Sequence, residues 1–307
     1  MTVDSAELER LEDLFENASV GFALTDPAGN LLRRNRAFGL LTGSAPRDAG
    51  GGPTPLAHYF ARPDLPGWLI GMLTQNQPVT DEPAVLNGLD GRQRQVIVDA
   101  TARTGADGRL EAVRWVLRPQ LDGATPSLDD GENDAVRWAR AVSPASDLRV
   151  DLPSLSEPEA EARLRELEDF FQNVPAAIHL IGLRGIVLRA NRLDLAVAGH
   201  SAHPERYLGH HVKPYYADQT VLEDLFGFWD KGNPIVNFRS RLVGASGADL
   251  GVVIFSNSRI VDGQFRNTRC VVFPDPDQSA PPTATRRFRW PAAPLFAGAA
   301  AAPVQKG

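Results

Sequence analysis

The residues able to do chemistry in this 307-residue sequence are few and unevenly placed. Its single cysteine, Cys270, lies in "RNTRCVVF" and leaves no room for an intramolecular disulfide or a multi-cysteine metal site. Of the six histidines, five fall close together, at His179, His200, His203, His210 and His211. Their spacing does not match a zinc site, which needs four tetrahedral ligands at closer, patterned intervals. Ser256, Asn257, Thr268 and Cys270 are small or polar positions inside strand-like runs. Side chains of that kind suit the floor of a ligand pocket with apolar walls. They equally suit the wet side of a sheet, and only the strand register decides between the two. No nucleophile with an oriented base stands out, nor any pair of carboxylates at cleft spacing. The expectation is therefore a chain without catalysis. The acidic run "LDDGEND" reads as solvated, and "RRFRW" as a solvated tail or a docking peptide.

Bulk properties narrow the classes further. Hydrophobic content of 43% and charged content of 23% belong to a soluble globular chain, and the length suits two domains. A net charge of −6 with interspersed signs argues against a nucleic-acid partner. The start, "MTVDSAELERLEDLF", lacks the apolar stretch of a signal peptide. No run approaches the ~18 apolar residues of a membrane span, so a cytoplasmic protein without membrane contact is expected.

The positioning elements come from a duplication. "LEDLFEN" at Leu11–Asn17 returns as "LEDFFQN" at Leu167–Asn173, an offset of 156 residues. The offset carries Gly29 onto Gly185, Asn35–Arg36 onto Asn191–Arg192 and Gly43 onto Gly199. Internal self-similarity of this kind means repeated structural units. Each copy opens with an amphipathic helix, whose apolar stripe is Leu8, Leu11, Leu14 and Phe15 or Leu164, Leu167, Phe170 and Phe171. A hairpin follows, turning at "DPAG" in the first copy. Asn35 and Asn191 stand where a helix N-cap is needed, with Gly43 as a C-cap. A longer helix comes next, in "DLPGWLIGMLTQN" or "DQTVLEDLFGFWDKG". Three strands finish each unit, near Val85–Asn87, Gln93–Ala102 and Leu110–Leu117, and near Val236–Val243, Leu250–Ser258 and Gln264–Phe273. The domains run over 7–119 and 157–274, joined by a flexible linker at 120–156 in which "AVRWARAV" is a possible short helix. Residues 275–307 read as a disordered tail.

This order, with the "NRAF" and "NRLD" junctions, resembles the PAS sensory domain, an α+β fold with a five-stranded antiparallel sheet and helices over one face. In the second copy, "AAIHLIGLRGIVLRANRLDL", "YLGHHVKPYYADQTVLEDLF" and "FSNSRIVDGQFRNTRC" resemble a subtype found in bacterial sensor histidine kinases. The resemblance implies a pocket role for His179 and His211, beside Asn257, Thr268 and Cys270. It also implies that the opening helices, through Leu11, Leu14, Phe15, Leu164, Leu167, Phe170 and Phe171, form a dimer and signalling seam, so a homodimer is expected. Haem held by a histidine on the long helix is disfavoured, because neither long helix contains one. Covalent flavin chemistry is disfavoured because the helix after the hairpin has no cysteine. The cofactor is otherwise unknown.

The subtype's Asp-Ile-Thr coupling segment is replaced by "CVVFPDPDQSAPP", and no kinase signature follows. The expectation is a non-catalytic sensory protein that takes a small ligand or relays state by contact with a separate kinase or regulator. An adaptor with empty, packed cores is the alternative, and a redox sensor using Cys270 a more distant third.

Overall fold

The computed structural model describes residues 4–44, 53–121, 134–142, 155–218 and 234–275, together with Leu222, Glu223, Leu225, Phe226 and Trp229. The long helix expected in the second copy lies largely outside the described residues, as does 276–307 of the carboxy-terminal segment. The first unit contains α1 (Ser5–Asn17), β1 (Gly21–Thr25), β2 (Leu31–Arg34), α2 (Arg36–Thr42), α3 (Leu65–Thr74), β3 (Val79–Asn87), β4 (Gln93–Thr104) and β5 (Leu110–Pro119). After α4 (Asp134–Val142), the second unit contains α5 (Glu157–Asn173), β6 (Ala177–Gly182), β7 (Val187–Ala190), α6 (Arg192–Ala198), β8 (Ile235–Val243), β9 (Asp249–Val261) and β10 (Gln264–Pro274). The two five-stranded antiparallel sheets have the same order, β2-β1-β5-β4-β3 and β7-β6-β10-β9-β8. Two α+β domains of one topology are thus present, each a five-stranded antiparallel sheet with helices, as expected. Among the described residues, no helix is long and apolar enough to cross a membrane.

The repeated asparagines do more than cap. Asn35 Oδ1 accepts from the Phe38 backbone N–H in α2 and from the Phe22 N–H in β1. Its Nδ2 donates to the Val20 carbonyl. Asn191 repeats this with Asp194, Ile178 and Ala176, and adds the Phe171 carbonyl. One buried amide therefore fixes the helix start to the first strand, which a shorter or acceptor-only side chain cannot do. Gly43 and Gly199 end the helices at φ 63° and 78°, a conformation that costs glycine little.

The strands β3 and β8 begin earlier than alternation suggests. Asp81 and Asn237 take positive φ, 56° and 55°, and the ladder slips between Val79 and Glu82 and between Ile235 and Phe238. The bulge breaks the period-two pattern that a sequence reader relies on.

Two findings change the picture of the opening helices and the linker. First, α1 and α5 pack on each other within one chain. Leu11, Leu14, Phe15, Leu167, Phe170 and Phe171 are all buried, and Leu164 is partly so. The Phe170 ring meets Phe15 edge-on at 4.9 Å and Phe22 at 5.2 Å. The stripe expected to seat a second copy is covered by the chain's other half. A homodimer through this seam would require the two helices to part. Second, part of the expected flexible linker is docked. In α4, Trp138 and Val142 are buried, Trp138 Nε1 donates to the Ser19 carbonyl at 3.1 Å, and Arg36 holds the Ala141 carbonyl.

The acidic pair of each "LED" divides its work between domains. Glu12 binds Arg33 of its own β2 and also Arg163 of α5, while Glu168 binds Arg189 of its own β7. Asp13 reaches the other domain's sheet: both its oxygens take Arg269 Nη1 of β10, at 2.8 and 2.7 Å. Asp169 takes Arg114 of β5 at 2.6 Å. The exchange continues one turn later. Asn257 donates to the Asn17 carbonyl at 2.7 Å, and Thr101 donates to the Asn173 carbonyl at 2.8 Å. Each opening helix thus lies against the other domain's sheet, and the two halves are related as the halves of a dimer would be. Buried ion pairs contribute little net stability but are costly to break on one side. They therefore specify which helix goes to which sheet.

Candidate functional site

The sheet of each domain has an outer face against these helices and an inner face cupped by its own short helices. Register separates the residues that sequence alone could not sort. On β10 and β9, Cys270 lies opposite Ser256 and Thr268 opposite Ser258, while Arg269 lies opposite Asn257. On the other side of β10, Cys270 lies opposite His179. Since successive side chains point to opposite faces, His179, Ser256, Thr268 and Cys270 share the cup. Asn257 does not. It faces outward, where its Oδ1 accepts from Arg269 Nε at 2.8 Å and its Nδ2 donates to the Asn17 and Val142 carbonyls. It belongs to the domain junction and not to the expected pocket.

The centre of the cup is a buried pair: His179 Nδ1 and Asp194 Oδ1 are 2.8 Å apart, with both residues almost fully enclosed. Asp194 comes from α6, where Asn191 holds its backbone N–H. Burial works against a charged imidazole, yet the Asp194 carboxylate outweighs it, with a smaller contribution from Cys270, and the His179 pKa stands well above its usual value. Burial and the same carboxylate hold the Tyr207 hydroxyl protonated far above its ordinary range. Tyr216 is raised by burial and then by Cys270 and Asp194. Cys270 Sγ lies 3.7 Å from Thr268 Oγ1. Trp229 closes one flank, its Nε1 donating to Ser256 Oγ at 2.9 Å. Two atoms are left over. His179 Nε2 and Asp194 Oδ2 are buried with no hydrogen-bond partner. A buried polar atom without a partner costs about 1–3 kcal/mol.

His211 sits apart from this floor. It pairs with Ile186 in an isolated bridge, its Nδ1 accepts from the Lys213 N–H, and its ring meets Phe226, which in turn meets Trp229. It is a partly exposed rim residue. Of the five expected pocket residues, the structure brings together His179, Thr268 and Cys270. Sequence reasoning missed Asp194, Tyr207, Tyr216 and Trp229. Asp194 had a signal: the 156-residue offset sets it on Phe38, so a carboxylate stands where the first copy has a core ring.

A family model described as a PAS domain matches residues 9–72. The PAS domain of an HTR-like protein from Haloarcula marismortui is 20% identical, with a TM-score of 0.33, over 39% of this chain and 97% of that one. An RNA-binding light-oxygen-voltage receptor is 16% identical, with a TM-score of 0.32, over 83% of this chain and 95% of that one. A domain of a sensory box sensor histidine kinase/response regulator from Geobacter sulfurreducens is 20% identical, with a TM-score of 0.29, over 36% and 90%. No curated protein matches the chain.

Proposed function

We propose, for a chain built of two PAS domains, that the second is a sensor and the first its docking partner. A small molecule enters the second cup, meets the His179–Asp194 pair, and changes how β10 holds α1. The observation that carries this reading is the enclosed His179–Asp194 pair, two ionisable groups in a cup whose counterpart in the first domain is apolar. Ionisable groups in a core are costly to bury, so a cup that keeps them has a use for them beyond packing.

Occupancy acts as a population shift, favouring one packing of the opening helices over another. Cys270 on the cup floor adjoins Arg269, which grips Asp13 on the far side of the sheet, so a displaced strand moves both. The state is read by a separate kinase or regulator that contacts the opening helices. The adaptor reading draws on the first domain, whose cup is packed with Phe38, Tyr59 and Trp115.

The test is native mass spectrometry of the purified chain with an absorption spectrum of the same sample. A mass excess that disappears on denaturation, and is absent from Asp194→Asn, supports the sensor. An apo mass that stays unchanged when extracts of small metabolites and small oxidants are added back overturns it and leaves the adaptor.

A further inference from the structure

We infer that Cys270 is a thiol primed for oxidation by a small hydroperoxide, with His179 as its proton partner and Asp194 as the group that orients His179. This rests on the second cup being the sensing site and names the chemical class of its input.

His179 and Cys270 are direct partners across the β6–β10 ladder, with side chains on the same face. Residues so placed have Cβ atoms about 4.5–5.5 Å apart. His179 Nδ1 is taken by Asp194 at 2.8 Å. The free nitrogen is therefore Nε2, on the opposite edge of a ring that is 3% exposed, with no other hydrogen-bond partner. The sulfur also contributes, after Asp194, to the raised His179 pKa. Nucleophile, base and orienting carboxylate in that sequence are the arrangement that activates a thiol. None of the three has a counterpart in the first domain, where Ala23 and Trp115 stand opposite each other and Phe38 replaces the carboxylate.

The step balances without a further reagent. The thiol proton resides on Nε2, and the thiolate attacks one peroxide oxygen. An S–O bond forms and the O–O bond breaks. Sulfur gives up two electrons, and the departing hydroxide takes the Nε2 proton to leave as water. The product is a sulfenic acid. No second cysteine exists in the chain to resolve it as a disulfide. Complete burial of Cys270 acts as a size filter. A hydroperoxide is little larger than water, whereas a dinitrobenzoate disulfide or glutathione is many times larger and cannot reach a fully enclosed thiol without opening the fold.

The experiment uses the reduced full chain, folded or unfolded in guanidinium chloride. Each is exposed to hydrogen peroxide, quenched with catalase, unfolded with dimedone, and read by intact mass and peptide mapping. A parallel set is exposed to the aromatic disulfide reagent DTNB. Folded protein is expected to form sulfenate at least about ten-fold faster than unfolded protein, and to react with DTNB at least about ten-fold more slowly. His179→Gln and Asp194→Asn are expected to lose the peroxide advantage while keeping the protection from DTNB, which reports that they remain folded. A folded wild-type thiol no faster than the unfolded one overturns the inference without need of any variant, as does an undiminished rate in a protected His179→Gln. If Cys270 is inert but a non-covalent molecule is found in the native mass, the oxidant falls and the sensing site stands. If Cys270 is inert and the mass is apo, both fall.

Discussion

At positions matched by strand pairing, the first cup holds Ala23, Ala100, Val113 and Trp115 where the second holds His179, Ser256, Thr268 and Cys270. The helix that follows the hairpin contributes Phe38 to one and Asp194 to the other, and Phe60 is matched by Tyr216. Even the tryptophans trade places: the first cup is filled from the sheet by Trp115, which donates to Thr25 Oγ1, and the second from its long-helix region by Trp229. On the outer faces the domains agree in their main ion pairs and stacked arginines, although Asn257 stands where the first domain has Thr101. Asp13 answers Asp169, Arg269 answers Arg114, and Arg33 stacked on Phe15 answers Arg189 stacked on Phe171. The interface has kept the duplicate's chemistry, while one interior has been given polar groups that packing alone does not require. Polar atoms in a core are tolerated only where something satisfies them. The difference therefore sets the second interior apart as the one with buried polar groups to satisfy.

Trp115→Ala should cost about 3–5 kcal/mol, the range for emptying a large core site, whereas Cys270→Ala should cost less than about 2 kcal/mol. Denaturant titrations giving equal losses would contradict the contrast between a packed cup and a polar one. The two exchanged ion pairs should also differ. Asp13→Ala strands an arginine that is 1% exposed and should cost about 3 kcal/mol, while Asp169→Ala should cost about 1–2, because that carboxylate is 31% exposed.

The pH dependence should fall in two separate windows. In the first domain, burial of Asp99 raises its pKa to about 6, against the nearby Arg118. A carboxyl raised on folding contributes most below its unfolded pKa of 3.8 and loses that contribution as pH rises through 6. Asp99→Asn should remove this slope and add about 1–3 kcal/mol above pH 6. In the second domain, His179 is raised above 6.5, so its contribution is complete below that pH and declines at higher, alkaline values. His179→Gln should flatten only the upper window, as unfolding midpoints across pH will register. The smallest effects belong to the helix starts. Asp4→Ala removes an acceptor for the Ala6 and Glu7 N–H groups, and Glu159→Ala removes one for Ser156. Each should lower thermal stability by about 0.5–1 kcal/mol, and by nearly the same amount in both domains.

Much of this was legible in the sequence because duplication writes the same capping asparagine and glycine twice. Elements with strong local signals, such as α5 after its Ser156–Glu159 start, follow from spacing alone. What escaped was whatever depends on pairing between distant strands. Asn257 and Cys270 both look like pocket residues until the ladder puts them on opposite faces. The bulge at Asp81 hid the start of β3. The partner of the second acid of each "LED" does not follow from type or periodicity, because its arginine lies on the other domain's sheet. Asp194 was the avoidable miss, since the repeat itself sets a carboxylate against Phe38.

The reach of Asp13 also governs how this molecule comes into being. Its partner, Arg269, lies 256 residues further along the chain. At the ~5–20 residues per second of translation, α1 leaves the ribosome roughly 13–50 s before the strand that receives it. For that interval α1 lacks its arginine, and α5 emerges beside it while β10 is still unmade. β10 thus completes its own sheet and seats the first helix of the other domain, and a nascent chain cut short before Arg269 leaves Asp13 without the arginine that holds both its oxygens, a mark by which unfinished copies differ from finished ones.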